Sequence, residues 1–385
     1  MKLGGKTLVA LAWVGFLAII IGCGGSSAGG GTTSTTSTSA TTSTTSTSAT
    51  TSTTSTTSTT STTSTTSTTS TTSTTSTTST TSTTGGSLPH DAILYTINDG
   101  TVNFLKSIKA DGTNNATLAS FDAATILAVA PNPTQTNQFA YAYFNTSTLK
   151  ARIYKGNSAL DPATSTLLVN QTYDGVDDVQ FTPDGLFVIY KADSGTGWKM
   201  YRVAVGGGSP IVLDDVFEMS LSPIVGTHLV AYTKPLATTA EVYTIDYTTG
   251  VMTPITSLGS DFVFSPTWSR DGNKILFSYA TSGGANNDLY SIPITAGSPT
   301  QVTNTASLSE TFGFWNEDTT KIAALMFDPS GTQALYVITN SGATYTSLIV
   351  DSGLGLRCYW TTSQGRSLSG ENPHFQFRKS RRSGR

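Results

Sequence analysis

Residues 264–303 read FSPTWSRDGNKILFSYATSGGANNDLYSIPITAGSPTQVT, and the alternation in this stretch decides the fold. A first strand ends at Trp268 and runs into the turn Ser269-Arg270-Asp271-Gly272. In a second strand, over 274–280, Ile275, Phe277 and Tyr279 alternate with Leu276 and Ser278. Beyond a Gly- and Asn-rich loop, a third strand over 288–294 puts Tyr290, Ile292 and Ile294 on one face. The turn Ala296-Gly297-Ser298-Pro299 then leads to a fourth strand, 300–303. Period-two alternation in short runs broken by Gly, Asn and Pro predicts an antiparallel meander. A lone sheet of this kind cannot bury both of its faces, so it needs copies of itself.

The copies are present. The Trp268 position recurs as Val129, Phe181, Leu221, Trp268, Trp315 and Trp360, at spacings of 52, 40, 47, 47 and 45 residues. The aromatic of the third strand recurs as Phe104, Tyr154, Tyr201, Tyr243, Tyr290 and Tyr336. Four strands per repeat at this period predict an all-β chain, a six-bladed β-propeller of four-stranded antiparallel blades over 88–362. Phe104 precedes the first member of the Trp268 column, and no third-strand aromatic follows the last one. The C-terminal strand, 356–361, is therefore expected to join the N-terminal strands 92–97, 103–109 and 116–120 in one blade. Such closure removes two sheet edges that would otherwise template aggregation.

The blade pattern Trp-Ser-x-Asp-Gly-x-x-Ile-x-Phe, then Asp-Leu-Tyr-x-Ile and a later Gly and Thr, resembles the repeat of TolB-type propellers. Residues 264–303 and 181–213 carry it well, and the blades at Val129 and Trp315 weakly. The α/β domain that precedes the propeller in TolB has no counterpart in the residues before 88. The resemblance implies the fold and a channel that takes up protein or peptide partners. It says little about activity, because propellers attached to peptidases and lyases share the repeat.

Ahead of the repeats, Lys2 and Lys6 precede an apolar run from Leu8 to Ile21, the length of a signal-peptide core. It ends Ile20-Ile21-Gly22-Cys23, which resembles a bacterial lipobox. Residues 1–22 then form a lipoprotein signal peptide, and Cys23 is the lipidated residue that anchors the chain to a membrane. By the same resemblance, Gly24 permits sorting to the outer membrane. Residues 23–87 are mostly a Thr-Thr-Ser repeat, and no charged residue stands between Lys6 and Asp91. Such a tract has no apolar face to bury and is expected to be disordered, a tether or an O-glycosylated stalk. As a coil of about 60 residues it would span roughly 45 Å.

Of 21 Lys and Arg, two lie in the signal peptide and five (Arg378, Lys379, Arg381, Arg382 and Arg385) in the last eight residues. The rest of the chain keeps 14 basic against 24 acidic residues, which argues against a nucleic-acid partner. Residues 363–385 read as a basic, frayed tail, and 366–377 fit no strand that the ring needs. With Cys23 committed to lipid, Cys358 has no disulfide partner.

The search for catalytic chemistry is mostly negative. The three histidines, His90, His228 and His374, are scattered, and no His-x-x-His or Cys-x-x-Cys motif occurs, so neither a metal centre nor a cofactor is expected. Asp174-Gly175-Val176-Asp177-Asp178 is the densest acidic run, yet it lacks the spacing of a calcium loop and reads as a blade-connecting loop. Trp268, Trp315 and Trp360 share a column with aliphatic residues and belong between blades, whereas Trp198, in a Gly-rich loop, is expected to be exposed. Three residues before the Trp column stand Ile126, Asp178, Glu218, Ser265, Phe312 and Arg357. They fall near the start of the innermost strand, so Asp178, Glu218 and Arg357 are the candidate ligand-binding residues at the channel mouth.

The expected function is therefore that of a monomeric cell-envelope lipoprotein, non-enzymatic, displayed at the outer membrane or cell surface. Its propeller serves as a binding scaffold for an envelope protein, peptide or polymer. A polysaccharide lyase or hydrolase working at the channel mouth is the alternative, and it would need clustered His, Arg or Tyr from several blades.

Overall fold

The computed structural model describes residues 91–360, apart from 123, 136, 158, 260–261, 281–285 and 343, together with Phe375–Gln376. The proposed signal peptide, Cys23, the Thr/Ser tract and most of the basic tail lie outside the described residues.

The described chain is all-β, and its strands form six blades. Blade 1 holds β1 (Ala92–Asn98), β2 (Val102–Lys109) and β3 (Ala116–Asp122). Blade 2 holds β4 (Ile126–Pro131), β5 (Phe139–Asn145), β6 (Lys150–Gly156) and β7 (Thr166–Leu167). Blade 3 holds β8 (Gly175–Phe181), β9 (Phe187–Asp193), β10 (Trp198–Ala204) and β11 (Ile211–Asp215). Blade 4 holds β12 (Met219–Leu221), β13 (Leu229–Pro235), β14 (Ala240–Asp246) and β15 (Met252–Pro254). Blade 5 holds β16 (Phe262–Trp268), β17 (Lys274–Ala280), β18 (Asp288–Pro293) and β19 (Thr300–Gln301). Blade 6 holds β20 (Ser309–Trp315), β21 (Lys321–Phe327), β22 (Gln333–Thr339) and β23 (Tyr345–Val350).

The C-terminal strand β24 (Leu354–Trp360) pairs antiparallel with β1, Ile93 opposite Trp360, and completes blade 1 as the alternation predicts. It begins two residues earlier than expected, at Leu354.

Apolar layers hold the blades together. One core cluster joins blade 1 to blades 2 and 6, and four others join blades 2 and 3, 3 and 4, 4 and 5, and 5 and 6. The column Val129, Phe181, Leu221, Trp268, Trp315 and Trp360 is buried throughout these layers, as its aliphatic members imply. The indole Nε1 groups donate to Ser220 O (Trp268), Asn340 Oδ1 (Trp315) and Asp91 Oδ1 (Trp360). Burial of one such side chain contributes about 1.5–3 kcal/mol. The first strand of each blade is innermost: β4 packs on β8, β12 on β16, β16 on β20 and β20 on β24. The outer strands β11, β15 and β23 leave Val212, Met252 and Val350 exposed.

The turn after the innermost strand is built alike in blades 3 and 5. Thr182 and Ser269 donate their hydroxyls to Asp184 and Asp271 at 2.5 and 2.6 Å. Gly185 (φ 71°) and Gly272 (φ 69°) then take the left-handed conformation that reverses the chain. This is the physical content of the Asp-Gly repeat in the sequence.

Each innermost strand also carries a β-bulge near its start. Register slips occur at Ile126/Ala128, Val176/Asp178, Phe264/Thr267 and Thr311/Phe314, and where β24 passes Tyr95/Ile97. In blade 4, Phe217 N donates to Thr233 O and Thr233 N to Glu218 O, again two residues opposite one. Ser265 (φ 52°) and Phe312 (φ 49°) adopt left-handed backbone within these bulges. A bulge bends the strand and re-aims its side chains.

One feature of the tail departs from expectation. Phe375–Gln376 form a short strand, β25, antiparallel to the inner edge of β4, with Phe375 opposite Val129 and Gln376 opposite Ala128. The ring is complete without it, yet the segment is a strand rather than a frayed end.

Candidate functional site

The bulges assemble the candidate site, because they coincide with the column Ile126, Asp178, Glu218, Ser265, Phe312 and Arg357. In blade 3 the extra residue is Asp177, so two adjacent carboxylates leave the same bend. They face Lys191, which stands opposite Asp178 on β9 and is almost fully buried, at 1% exposure. Asp177 Oδ2 lies 2.9 Å from Lys191 Nζ, and Glu218 Oε1, from the blade 4 bulge, lies 3.8 Å from it. Lys191 also donates to the carbonyl of Phe217. The Trp198 ring covers the ammonium, with Nζ 5.1 Å from the ring centroid. Trp198 is thus half-buried over a cation, not exposed in its loop as the sequence suggested.

Gln180 ties the two blades beside this group. Its Nε2 donates to Asp178 Oδ2 at 3.1 Å and its Oε1 accepts from Leu221 N at 3.1 Å. The structure therefore brings Asp178 and Glu218 together around one lysine, as their shared repeat position implies. Arg357 lies at the bulge of β24, and its side chain is outside the described residues.

Three carboxylates share one ammonium, and this sets the electrostatics. Burial pulls Lys191 down, but Asp177 and Glu218 overcome it, so the ammonium is held above its ordinary value. Burial pushes the Asp177 carboxyl up against the pull of Lys191, and Glu218 and Asp178 add to the push. Asp177 Oδ1 is buried with no hydrogen-bond donor among the described residues. Among the described side chains, three carboxylates thus surround one ammonium, and Asp177 keeps one buried oxygen open to a donor from outside the cluster.

Sequence reasoning named Asp178 and Glu218 but missed Lys191 and Asp177. A signal for Lys191 existed. Measured from the residue paired with the Trp column, it occupies the register position held by Thr96, Thr233, Ser278 and Leu325 in four other blades. The remainder of the acidic run goes elsewhere, for Asp174 pairs with Lys150. Among the described residues no three His, Cys, Asp or Glu side chains are grouped to hold a metal ion.

Two further buried carboxylates stand near the same ends of the blades. Glu241 is fully served: Thr256 Oγ1 donates at 2.5 Å, Leu258 N at 2.6 Å and Gly259 N at 3.1 Å. Glu310 is not. It accepts from Thr305 Oγ1 at 2.5 Å, and its Oε2 is buried without a hydrogen-bond partner among the described residues. Burial pushes its pKa up to about 8 against the Thr305 hydrogen bond, and the neighbouring Asp288 adds to the rise. His228, at the other end of the β12–β13 pair from Glu218, packs edge-on against Tyr247 at 5.3 Å, remote from these carboxylates.

The architecture can be placed among solved structures. A TolB from Acinetobacter baumannii matches 71% of this chain and 68% of its own, with 19% identity and a TM-score of 0.55. A putative TolB from Agrobacterium tumefaciens matches 76% of this chain and 98% of its own, with 14% identity and a TM-score of 0.53. The likeness is one of fold. A chain of a nidogen/laminin complex is also similar, at 9% identity and a TM-score of 0.50 over 71% of this chain and 98% of that one. No protein-family model matches the sequence, and no curated protein matches it. The TolB-type propeller expected from the repeat is thus the fold of this chain, while the identities leave function to the site itself.

Proposed function

We propose that this chain is a tethered binding scaffold of the bacterial envelope, anchored through Cys23, spaced from the membrane by the Thr/Ser tract, and engaging a polypeptide at the ring's centre. The observation that carries the binding role is the cluster on the blade 3 and blade 4 bulges. Asp177 stands there beside Lys191 and Glu218, and its buried Oδ1 has no hydrogen-bond donor among the described residues. An open buried acceptor is costly in a purely structural ion pair, whereas a basic segment entering the channel would supply its donor. The polypeptide therefore contributes a Lys or Arg to this end of the channel. Arg357, at the same repeat position in blade 1, meets an acidic part of the same partner. We read the role as binding rather than catalysis; His228, the one histidine among the described residues, is remote from the cluster.

The test is capture from solubilised envelope by the wild-type chain and by Asp177→Asn/Glu218→Gln, set beside a screen on pectin-like and peptidoglycan fragments. Wild type should retain a protein that the double variant releases. Turnover of a fragment would favour the lyase or hydrolase reading instead. For the anchor, a fatty-acid analogue should label wild type and not Cys23→Ser; equal labelling would remove the lipoprotein assignment.

A further inference from the structure

We infer that the channel-facing edge of β4 is a strand-acceptor site, and that the chain's own C-terminal segment is its built-in occupant and competes with any polypeptide that enters the ring. An innermost strand presents one unpaired row of backbone N–H and C=O groups to the centre of a propeller, and an exposed edge of this kind accepts an extended segment by backbone hydrogen bonding. Among the described residues, the inner strands β8, β12, β20 and β24 end their sheets on that side, and β16 meets β14 at the single pair Phe262 and Ala240. On β4 the added neighbour is β25, a two-residue antiparallel pairing.

The position of β25 makes it more than an edge cover. It also approaches β24, β8 and β1, so it stands among the innermost strands of three consecutive blades. The strand it joins reads Ile-Leu-Ala-Val-Ala-Pro, uncharged and with small residues at Ala128 and Ala130, which lets a second backbone come close. On the neighbouring β8 stand Asp177 and Asp178. Directly after Gln376, the sequence supplies Arg378, Lys379, Arg381, Arg382 and Arg385. Backbone pairing gives affinity without sequence preference, and opposite charges supply the preference. A segment that pairs with β4 and then carries five basic residues is matched in both respects to an acidic β8 alongside.

Tethering decides the outcome of the competition. A segment joined to the ring by a short linker acts at an effective concentration of about 1 mM, so it outcompetes a free peptide of equal intrinsic affinity. The proposal rests on the reading of the ring's centre as a polypeptide site, but its test needs no envelope partner.

A fluorescein-labelled peptide of residues 366–385 is titrated by anisotropy into the full chain and into a chain ending at Gly365, which keeps every strand of the ring. The shortened chain should bind the peptide at least ~10-fold more tightly than the full chain does. A full chain with Phe375→Pro and Gln376→Pro, which cannot donate to β4 from these positions, should gain the same affinity without any loss of residues. The peptide carrying the same two prolines should bind neither form. Equal binding to all chains, no binding to the shortened chain, or equal binding of a scrambled peptide of the same charge would overturn the proposal. A positive titration beside a failed envelope capture would remove the proposed partner and leave the tail site standing.

Discussion

Two seams of the ring bury carboxylates at the starts of their inner strands and solve the resulting problem differently. Between blades 3 and 4, Asp177 and Glu218 face the buried Lys191, and Gln180 ties Asp178 to blade 4. Between blades 5 and 6, Glu310 faces another carboxylate, Asp288, and accepts from the hydroxyl of Thr305. The first seam holds charge by pairing it. The second holds a proton, since burial and a like-charged neighbour both favour the neutral acid. A buried carboxylate is thus no single signal: a paired cluster can accept a further charge, whereas a protonated one is a pH-dependent joint.

The comparison breaks most readily at Lys191. Lys191→Met removes the ammonium and leaves three carboxylates facing one another, and losing one partner of a buried pair costs about 3–5 kcal/mol. Urea unfolding at neutral pH should show this loss, with part of it recovered as the pH falls and Asp177 takes up a proton. A loss under ~1 kcal/mol would mean that the cluster is solvated rather than buried.

A smaller effect is expected at Glu241, whose three donors all serve the ionised form. Glu241→Gln should cost about 1.5–3 kcal/mol, the scale of hydrogen bonds to a charged group. Smallest at neutral pH is the same substitution at Glu310, because a neutral amide replaces a neutral acid. Its signature lies in the pH profile. The folded value of about 8 stands above the ordinary 4.5, so the native state binds the extra proton between them and wild-type stability falls as pH rises through that window. Glu310→Gln should flatten this slope, and parallel wild-type and variant profiles from pH 5 to 8 would refute the proton-holding seam.

The sequence made the ring legible because its two columns are set by burial. Trp268 and its five counterparts must all fill the space between blades, and alternation fixes which side of each strand they take. The repeat position of Asp178 and Glu218 was legible for the same reason. The bulge beneath them was not, since one extra residue in a strand leaves the flanking alternation intact. Asp177 therefore passed as part of a loop, and Lys191 as one more residue in an alternating run. The meeting of Glu310 with Asp288 depends on how blade 6 sits against blade 5, which no local pattern encodes. Two residues of strand, Phe375–Gln376, are too few to show a period at all.

Closure of the ring by β24 underlies every one of these sites, because blade 1 packs on both blade 2 and blade 6 through it. The direct test compares thermal unfolding of a chain ending at Gly353 with one ending at Gly370. The first lacks β24; the second keeps it and loses only β25 and the residues around it. The chain ending at Gly353 should lose its cooperative transition or melt at least ~10 °C lower, while the chain ending at Gly370 should melt within a few degrees of the full chain. Equal melting temperatures for the two shortened chains would contradict a ring closed across its termini.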